Sequence, residues 1–311
     1  MKTFKKAIFV FSLALGSVSI IAQQAPMFTH YMDNTLEINP AYAGSRDALT
    51  IMALHRSQWT GFKGAPVTQT VTAHAPLENE HIALGVSVIN DNIGPSNNTS
   101  VFADFAYIVK LTEKSKLAFG LSAGGNIYQA TLSSLELDQQ NDPVFLSNIN
   151  NRITPNFGFG AYYSRERFYA GISVPDLLQN GYSTIPEASG HNLVGKEQRH
   201  YFLIAGALFN LSDNLALKPT TLIKVTAVAP IEEDFTASFI ILRKLLLGVM
   251  FRTGDAVGGL VGFNFTNQLY LGYSFDWSYG IQTSNQGSHE IVLRYDFIFF
   301  KKQQIHSPRN F

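Results

Sequence analysis

Along most of the chain, apolar side chains alternate with small or polar ones in segments of about ten residues, and turn-forming residues separate the segments. A period of two marks β-strands, because successive side chains leave a strand on opposite faces. Near the C-terminus, Ile291, Leu293, Tyr295 and Phe297 share one face, and Glu290, Val292, Arg294 and Asp296 share the other. Just upstream, Leu269, Leu271, Tyr273, Phe275 and Trp277 oppose Tyr270, Gly272, Ser274 and Asp276. Between Val101 and Lys110 the outward set is Val101, Ala103, Phe105, Tyr107 and Val109, while Asp104 and Lys110 fall inward. The pattern predicts fourteen strands, at 48–57, 67–75, 82–90, 99–111, 116–128, 156–164, 167–174, 200–211, 214–225, 234–243, 245–253, 256–266, 268–278 and 288–299.

A soluble sandwich alternates too, but its outer face is mainly charged. Here the second face is largely Gly, Ser, Ala and Tyr with sparse charges, which suits a barrel lumen. Charge on a lipid-facing position costs about 2–4 kcal/mol for Lys or Arg near the midplane, so the other face carries none in the stretches quoted. The connections agree with this reading. If the first strand starts in the periplasm, every second connection is a short turn: 76–81, 112–115, 165–166, 212–213, 244 and 267. The long ones, 129–155 and 175–199, and the moderate ones, 58–66 and 279–287, all fall on the opposite side, where 254–255 is a short exception. The expected fold class is therefore all-β: a transmembrane antiparallel β-barrel of bacterial outer-membrane type over 48–300.

Lys2, Lys5 and Lys6 followed by the apolar run Ala7 to Ile21 read as a signal peptide over 1–22, with Ala22 before the cut. Residues 23–47 are expected to plug the lumen or lie at its periplasmic mouth, and 301–311 form a polar tail. Beyond the leader no apolar run is long enough for a membrane helix, the longest being Tyr201 to Phe209. A chain that crosses lipid without helices must close into a barrel, since open backbone groups find no water there.

Charged residues make up 15% of the chain, below the roughly 25% usual for soluble domains. Acids and bases balance at 23 each with no basic block, which argues against nucleic acid as a partner and leaves membrane lipid as the surrounding phase. There is no Cys, so disulfides and thiolate metal sites are excluded. The His residues lack zinc-ligand spacing, and neither a metal nor an organic cofactor is expected. Gly120-Leu121-Ser122-Ala123-Gly124 matches a serine-hydrolase pattern, but it lies inside an alternating strand with no helix to follow. An enzyme is not expected.

Five stretches, in order along the chain, resemble the PorP/SprF family of type IX secretion outer-membrane proteins. They are Asn39-Pro40-Ala41-Tyr42-Ala43-Gly44-Ser45; Arg56-Ser57-Gln58-Trp59 with Gly64-Ala65-Pro66 and Thr68-Gln69-Thr70; Gly85-Val86 with Asn90-Asp91 and Ile93-Gly94-Pro95; Phe168 to Pro175; and Gly287-Ser288-His289-Glu290-Ile291. The resemblance implies a barrel partnered with a secreted surface protein, of gliding or adhesin type, that carries a C-terminal sorting domain and is exported or held at the surface. It also implies, for some members, a link to a periplasmic peptidoglycan-associated protein.

The expected partner surface is the outer rim. It comprises Arg56, Gln58, Trp59, Gly64 and Pro66 around the first outer loop, Asp91 and Gly94 on the second (91–98), His289 and Glu290 at the last strand, and the two long loops. Arg and Trp dominate interface hot spots, although Trp59 at that height also fits an interfacial girdle, and His289 also fits strand-end hydrogen bonding. Asp104, Arg252, Asp276, Glu290, Arg294 and Asp296 are expected in the lumen, either paired across strands or lining an ion path. The rival reading is a porin-like diffusion channel.

Overall fold

The structure, a computed structural model, describes residues 25–135, 147–183, 193–279 and 286–298. The expected leader at 1–22 and tail at 301–311 lie outside the described residues. The strands are β1 (Leu49–Ser57), β2 (Val67–Pro76), β3 (Ile82–Ile93), β4 (Ser96–Thr112), β5 (Ser115–Ala130), β6 (Ile149–Arg165), β7 (Phe168–Val174), β8 (Gly181–Ser183), β9 (Leu193–Lys196), β10 (His200–Ala207), β11 (Phe209–Ser212), β12 (Leu215–Thr226), β13 (Ala229–Ile241), β14 (Leu245–Arg252), β15 (Ala256–Asn264), β16 (Leu269–Ser278) and β17 (Ser288–Phe297).

Neighbours pair antiparallel around a ring. β1 pairs with β2 and β17, and the β10–β12 pairing closes it. β10 and β11 are one wall strand interrupted at Leu208, with a register shift between Asn210 and Ser212. Counted so, the barrel has 14 strands. No helix among the described residues is long and apolar enough to cross a membrane.

The alternation is realised wall by wall. Leu121, Val249 and Ile172 point outward at 60% exposure or more, while inward neighbours such as Ser122, Met250 and Ser173 are buried. An apolar belt of this extent is stable only against hydrocarbon.

The sequence reading fell short at the outer ends of several strands. Of the expected loop 91–98, only Gly94 and Pro95 remain outside strands, and β6 begins at Ile149 instead of 156. Between β12 and β13 only 227–228 turn. These ends are polar, so alternation fades, yet ladder hydrogen bonds continue above the lipid. Within the long connection 175–199, β8 and β9 form a separate hairpin too short to carry a period.

Residues 28–46 fill the lumen. A one-turn helix α1 (Thr35–Ile38) leads into a 3₁₀ turn at Pro40–Tyr42. Tyr31, Met32, Leu36, Ile38, Ala41 and Tyr42 pack on inward apolar wall residues including Ile108, Tyr162, Ile204 and Ile240. Phe28 packs on Met52, Leu54, Tyr270 and Val292. Each such side chain taken fully out of water contributes about 1.5–3 kcal/mol, which holds a segment with almost no regular structure of its own.

The wall is shaped to receive it. Asn39 caps the 3₁₀ turn by accepting from the Ala41 N–H (3.0 Å), and its amide donates to the carbonyls of Ala161 and Ile172 on β6 and β7 (3.1 and 3.3 Å). A Cβ on Gly120 would stand 2.1 Å from the Ala41 nitrogen, so only glycine lets the turn approach. The Asn39-Pro40-Ala41-Tyr42 stretch and the glycines opposite it are one packing unit.

Candidate functional site

β1 and β17 place Arg56 and Glu290 opposite each other, both facing inward. Arg56 Nη1 lies 2.8 Å from Asp276 Oδ2 and 3.1 Å from Glu290 Oε2. Glu290 accepts from the backbone N–H groups of Thr29 (3.0 Å) and His30 (2.6 Å), and the Thr29 hydroxyl donates to Asp276 (2.6 Å). Arg252 is held by Asp234 across β13 and β14 (2.7 Å) and reaches the Phe28 carbonyl. Further along the plug, Arg294 pairs with Asp33, and Arg46 grips Asp296 through two bonds of 3.1 and 2.8 Å. The lumen charges thus divide. Arg252 pairs across neighbouring strands, Arg56 bridges β16, β17 and the plug, and Arg294 and Asp296 close onto the plug itself.

Arg56 and Glu290 are therefore buried, at 2% and 0% exposure, and present no outer surface. Their expected place on a partner surface is corrected to the inner wall, where they clamp residues 29–30. Alternation placed Glu290 inward and left Arg56 at the head of the first outer loop, and it could not place the plug against either.

The other rim residues do gather at the outer end. Gln58 N–H donates to the Pro66 carbonyl (2.9 Å), closing the first loop. Gly94 N–H donates to the Gly64 carbonyl (2.9 Å), with both glycines at positive φ (+55° and +78°), so the tips of the first loop and the second turn dock on each other. Thr60 and 286–287 exchange backbone bonds, tying in the connection before β17. Trp59, at φ +49°, donates from its indole to Ser278 (3.1 Å), an inward residue of β16. Its ring leans over the rim instead of joining a lipid-facing girdle. Asp91 lies inside β3 and accepts from Thr68 (2.6 Å). His289 faces outward and shares a hydrogen bond with Tyr273 (2.8 Å). Ser122, from the hydrolase-like pattern, sits mid-strand opposite Asp104.

Sequence reasoning missed two features. Glu197, just after β9, collects hydrogen bonds from Asn126, Thr154, Asn156, Asn180 and Tyr182, and Tyr182 stacks on Tyr128 at 4.1 Å. These bonds fold the described ends of the connection, at Asn180–Tyr182 and Glu197, onto β5 and β6. An isolated acid in a polar loop carries no signal that would have revealed it.

The second is a vestibule of about 310 Å³ on the outer side of the plug, walled by the outer halves of β3–β5 and by β10, β12 and β13. Glu37, Asp91, Asp104, Asp176, Glu197, Glu232 and Asp234 line it, against Lys224 and His200. Burial, with the charges of Asp91 and Asp176 nearby, pushes the Glu37 carboxyl well above its usual range. Burial, with Glu197 beside it, pushes Asp176 up to about 7. Among the described residues no group of three or more His, Cys, Asp or Glu side chains is placed to hold a metal ion.

No curated protein matches the sequence. Among solved structures, the CymD monoaromatic hydrocarbon channel is 10% identical over 89% of this chain and 95% of its own, with a TM-score of 0.48. A FadL homologue of Pseudomonas aeruginosa is 10% identical over 85% and 94%, at 0.48. The outer membrane protein Omp33 of Acinetobacter baumannii is 11% identical over 82% and 100%, at 0.45. Likenesses this distant carry no argument about function. The model of the type IX secretion system membrane protein family PorP/SprF, in contrast, matches residues 20–295. The chain belongs to the PorP/SprF family of type IX secretion membrane proteins, and its place is the bacterial outer membrane.

Proposed function

We propose that this barrel binds a secreted surface protein of the type IX pathway at its outer end, noncovalently, through that protein's C-terminal sorting domain, and so supports its export or its retention on the cell. The family implies secreted cargo as the class of partner. The observation that carries the reading is the plug. Residues 28–46 are bonded to β16 and β17 through Asp276, Glu290, Arg294 and Asp296, to β12 through Thr220, and to β6 and β7 through Ala161 and Ser173. A lumen so closed favours docking over solute diffusion.

The docking surface in this reading is the joined platform of 58–66, Gly94 and 286–287, with Trp59 at its inner edge and His289 on its flank. A periplasmic peptidoglycan-associated protein would meet the short turns at the other end.

The test is deletion of 60–65, closing Trp59 to Pro66 with glycines, followed by measurement of surface retention of secreted proteins that carry the C-terminal sorting domain and of barrel folding by heat-dependent gel mobility. Retention should fall while folding persists. Unchanged retention in a folded variant overturns the reading, and steady open conductance of the intact protein in planar bilayers would favour the diffusion channel.

A further inference from the structure

We propose that the vestibule on the outer side of the plug is a binding site for an organic cation, an ammonium or guanidinium on an apolar stem. A basic side chain of the docked secreted protein or a free amine would supply it, and the partner-borne form rests on the docking reading above.

The charge of the cavity is unbalanced. Among the described residues, Glu37, Asp91, Asp104 and Asp176 line it and none forms an ion pair. Among the described residues, the one Lys or Arg in the lining, Lys224, pairs with Glu232 (3.2 Å), and nearby Arg252 pairs with Asp234 (2.7 Å). Asn34 donates to Glu37 and Thr68 to Asp91, but neither brings positive charge.

Asp104 is the decisive residue. It is 5% exposed, faces the cavity from β4, and its Oδ2 has no hydrogen-bond partner. Its register neighbours are Gly85 on β3 and Ser122 on β5, and the nearest plug side chain at Gly85 is the apolar Leu36, which offers the carboxylate no donor. A buried, unpaired carboxylate is costly, and an ionisable side chain inside a membrane barrel that meets no internal partner points to a ligand or a path.

The lining selects the kind of cation. A bare metal ion such as Ca²⁺ needs several oxygens converging at about 2.3–2.6 Å, and no such group is present among the described residues. Phe28, Phe102, Tyr128 and Phe202 instead offer apolar and aromatic faces beside the carboxylates, which suit an alkyl stem and a cation over a ring. The volume of about 310 Å³ lies at the small end of ligand cavities. It accommodates one side chain or a small amine, not a folded domain.

The test is calorimetric titration of the full-length mature protein in detergent micelles. The probes are pentane-1,5-diamine and a Gly/Ser peptide with one Lys. The controls are pentane-1,5-diol, the same peptide acetylated on Lys, and CaCl₂. Saturable binding of either cationic probe, absent for its uncharged twin, is the expected result. Binding by the peptide assigns the cation to the partner, and binding by the diamine alone assigns it to a free amine.

Asp104→Asn and Glu37→Gln should each weaken binding about tenfold, the equivalent of about 1.4 kcal/mol, and Asp213→Asn, in an exposed periplasmic turn, should leave it unchanged. Should Asp104→Asn fail to fold, Asp176→Asn, outside the strands, tests the same cavity. No saturable binding by the wild type, equal binding of the diol, or Ca²⁺ binding with the same sensitivity to Asp104 overturns the proposal. If cation binding is absent while retention of the secreted protein still depends on 60–65, the cation site falls and the docking reading stands.

Discussion

Two walls of the same barrel treat charge in opposite ways. Around β1, β16 and β17, Arg56, Asp276, Glu290, Arg294 and Asp296 meet an opposite charge or a donor, much of it supplied by the plug. Around the outer halves of β3 and β4, and at the head of the connection after β7, Asp91, Asp104 and Asp176 form no ion pair among the described residues. Both walls use the same inward alternation. The difference is that residues 28–46 meet the first with charges and donors, and meet the second with apolar groups such as Leu36 and Ala41. The lesson is that charge inside a barrel has no fixed meaning: against its own chain it is a fastener, and facing a cavity it is a receptor.

The largest expected effect lies on the paired wall. Arg56→Met strands Asp276 and Glu290 together, and breaking a buried pair from one side costs about 3–5 kcal/mol. The denaturant midpoint of the folded barrel in micelles should fall accordingly, and a shift no larger than that of a surface mutant would show that the plug is not held there. Next comes Gly120→Val, which drives a side chain into the 3₁₀ turn, whose Ala41 nitrogen stands 2.1 Å from the Cβ position. Overpacking of this kind costs about 1–3 kcal/mol or displaces the turn. Proteolysis of residues 28–46 should become detectable, while Gly259→Ala, with open space around its Cβ, should leave the protein as it was.

On the unpaired wall the sign reverses. Asp104→Asn removes charge where nothing compensates it, so stability should hold or rise by up to about 1 kcal/mol. A clear loss would mean that Asp104 is paired after all.

Acid should act in the same direction. Asp176 has a folded pKa of about 7 against an ordinary 3.8, with Glu37 and Glu197 as its acidic neighbours. The folded state therefore holds the proton more tightly than the unfolded one. Its contribution falls as pH rises from about 4 to 7 and then levels, and Asp176→Asn should flatten that part of the stability profile. The smallest effect belongs to neither wall. Lys114 and Glu166, 3.3 Å apart at 60% and 41% exposure in periplasmic turns, should change stability by less than about 1 kcal/mol when Lys114 becomes Ala.

Much of the barrel is written in the chain because lipid enforces a strict rule. An outward position must be apolar, and alternation then counts the strands. Where that rule lapses, so does legibility. Asp91, expected in a loop, stands in a strand because the β3 and β4 ladder runs on among polar residues to Ile93 and Ser96. The β8–β9 hairpin has too few residues to show a period. Gly64 and Gly94 were expected on the same side, and their contact follows from turn geometry that composition suggests only in outline.

By itself the sequence determined the all-β class, the strand number and which face turns inward in the most regular strands, those at 101–110, 269–277 and 290–297, because these follow from local alternation and from the cost of exposing charge or open backbone to hydrocarbon. Only the tertiary structure decided that residues 28–46 occupy the lumen, that Arg56 and Glu290 are locks instead of contacts, and that Asp104 is left facing a cavity. Those outcomes depend on which groups of the plug, polar or apolar, meet each part of the wall. That choice is made by pairings such as Thr29 with Asp276 and Arg46 with Asp296, each nearly 250 residues apart in the chain, where no local pattern reaches.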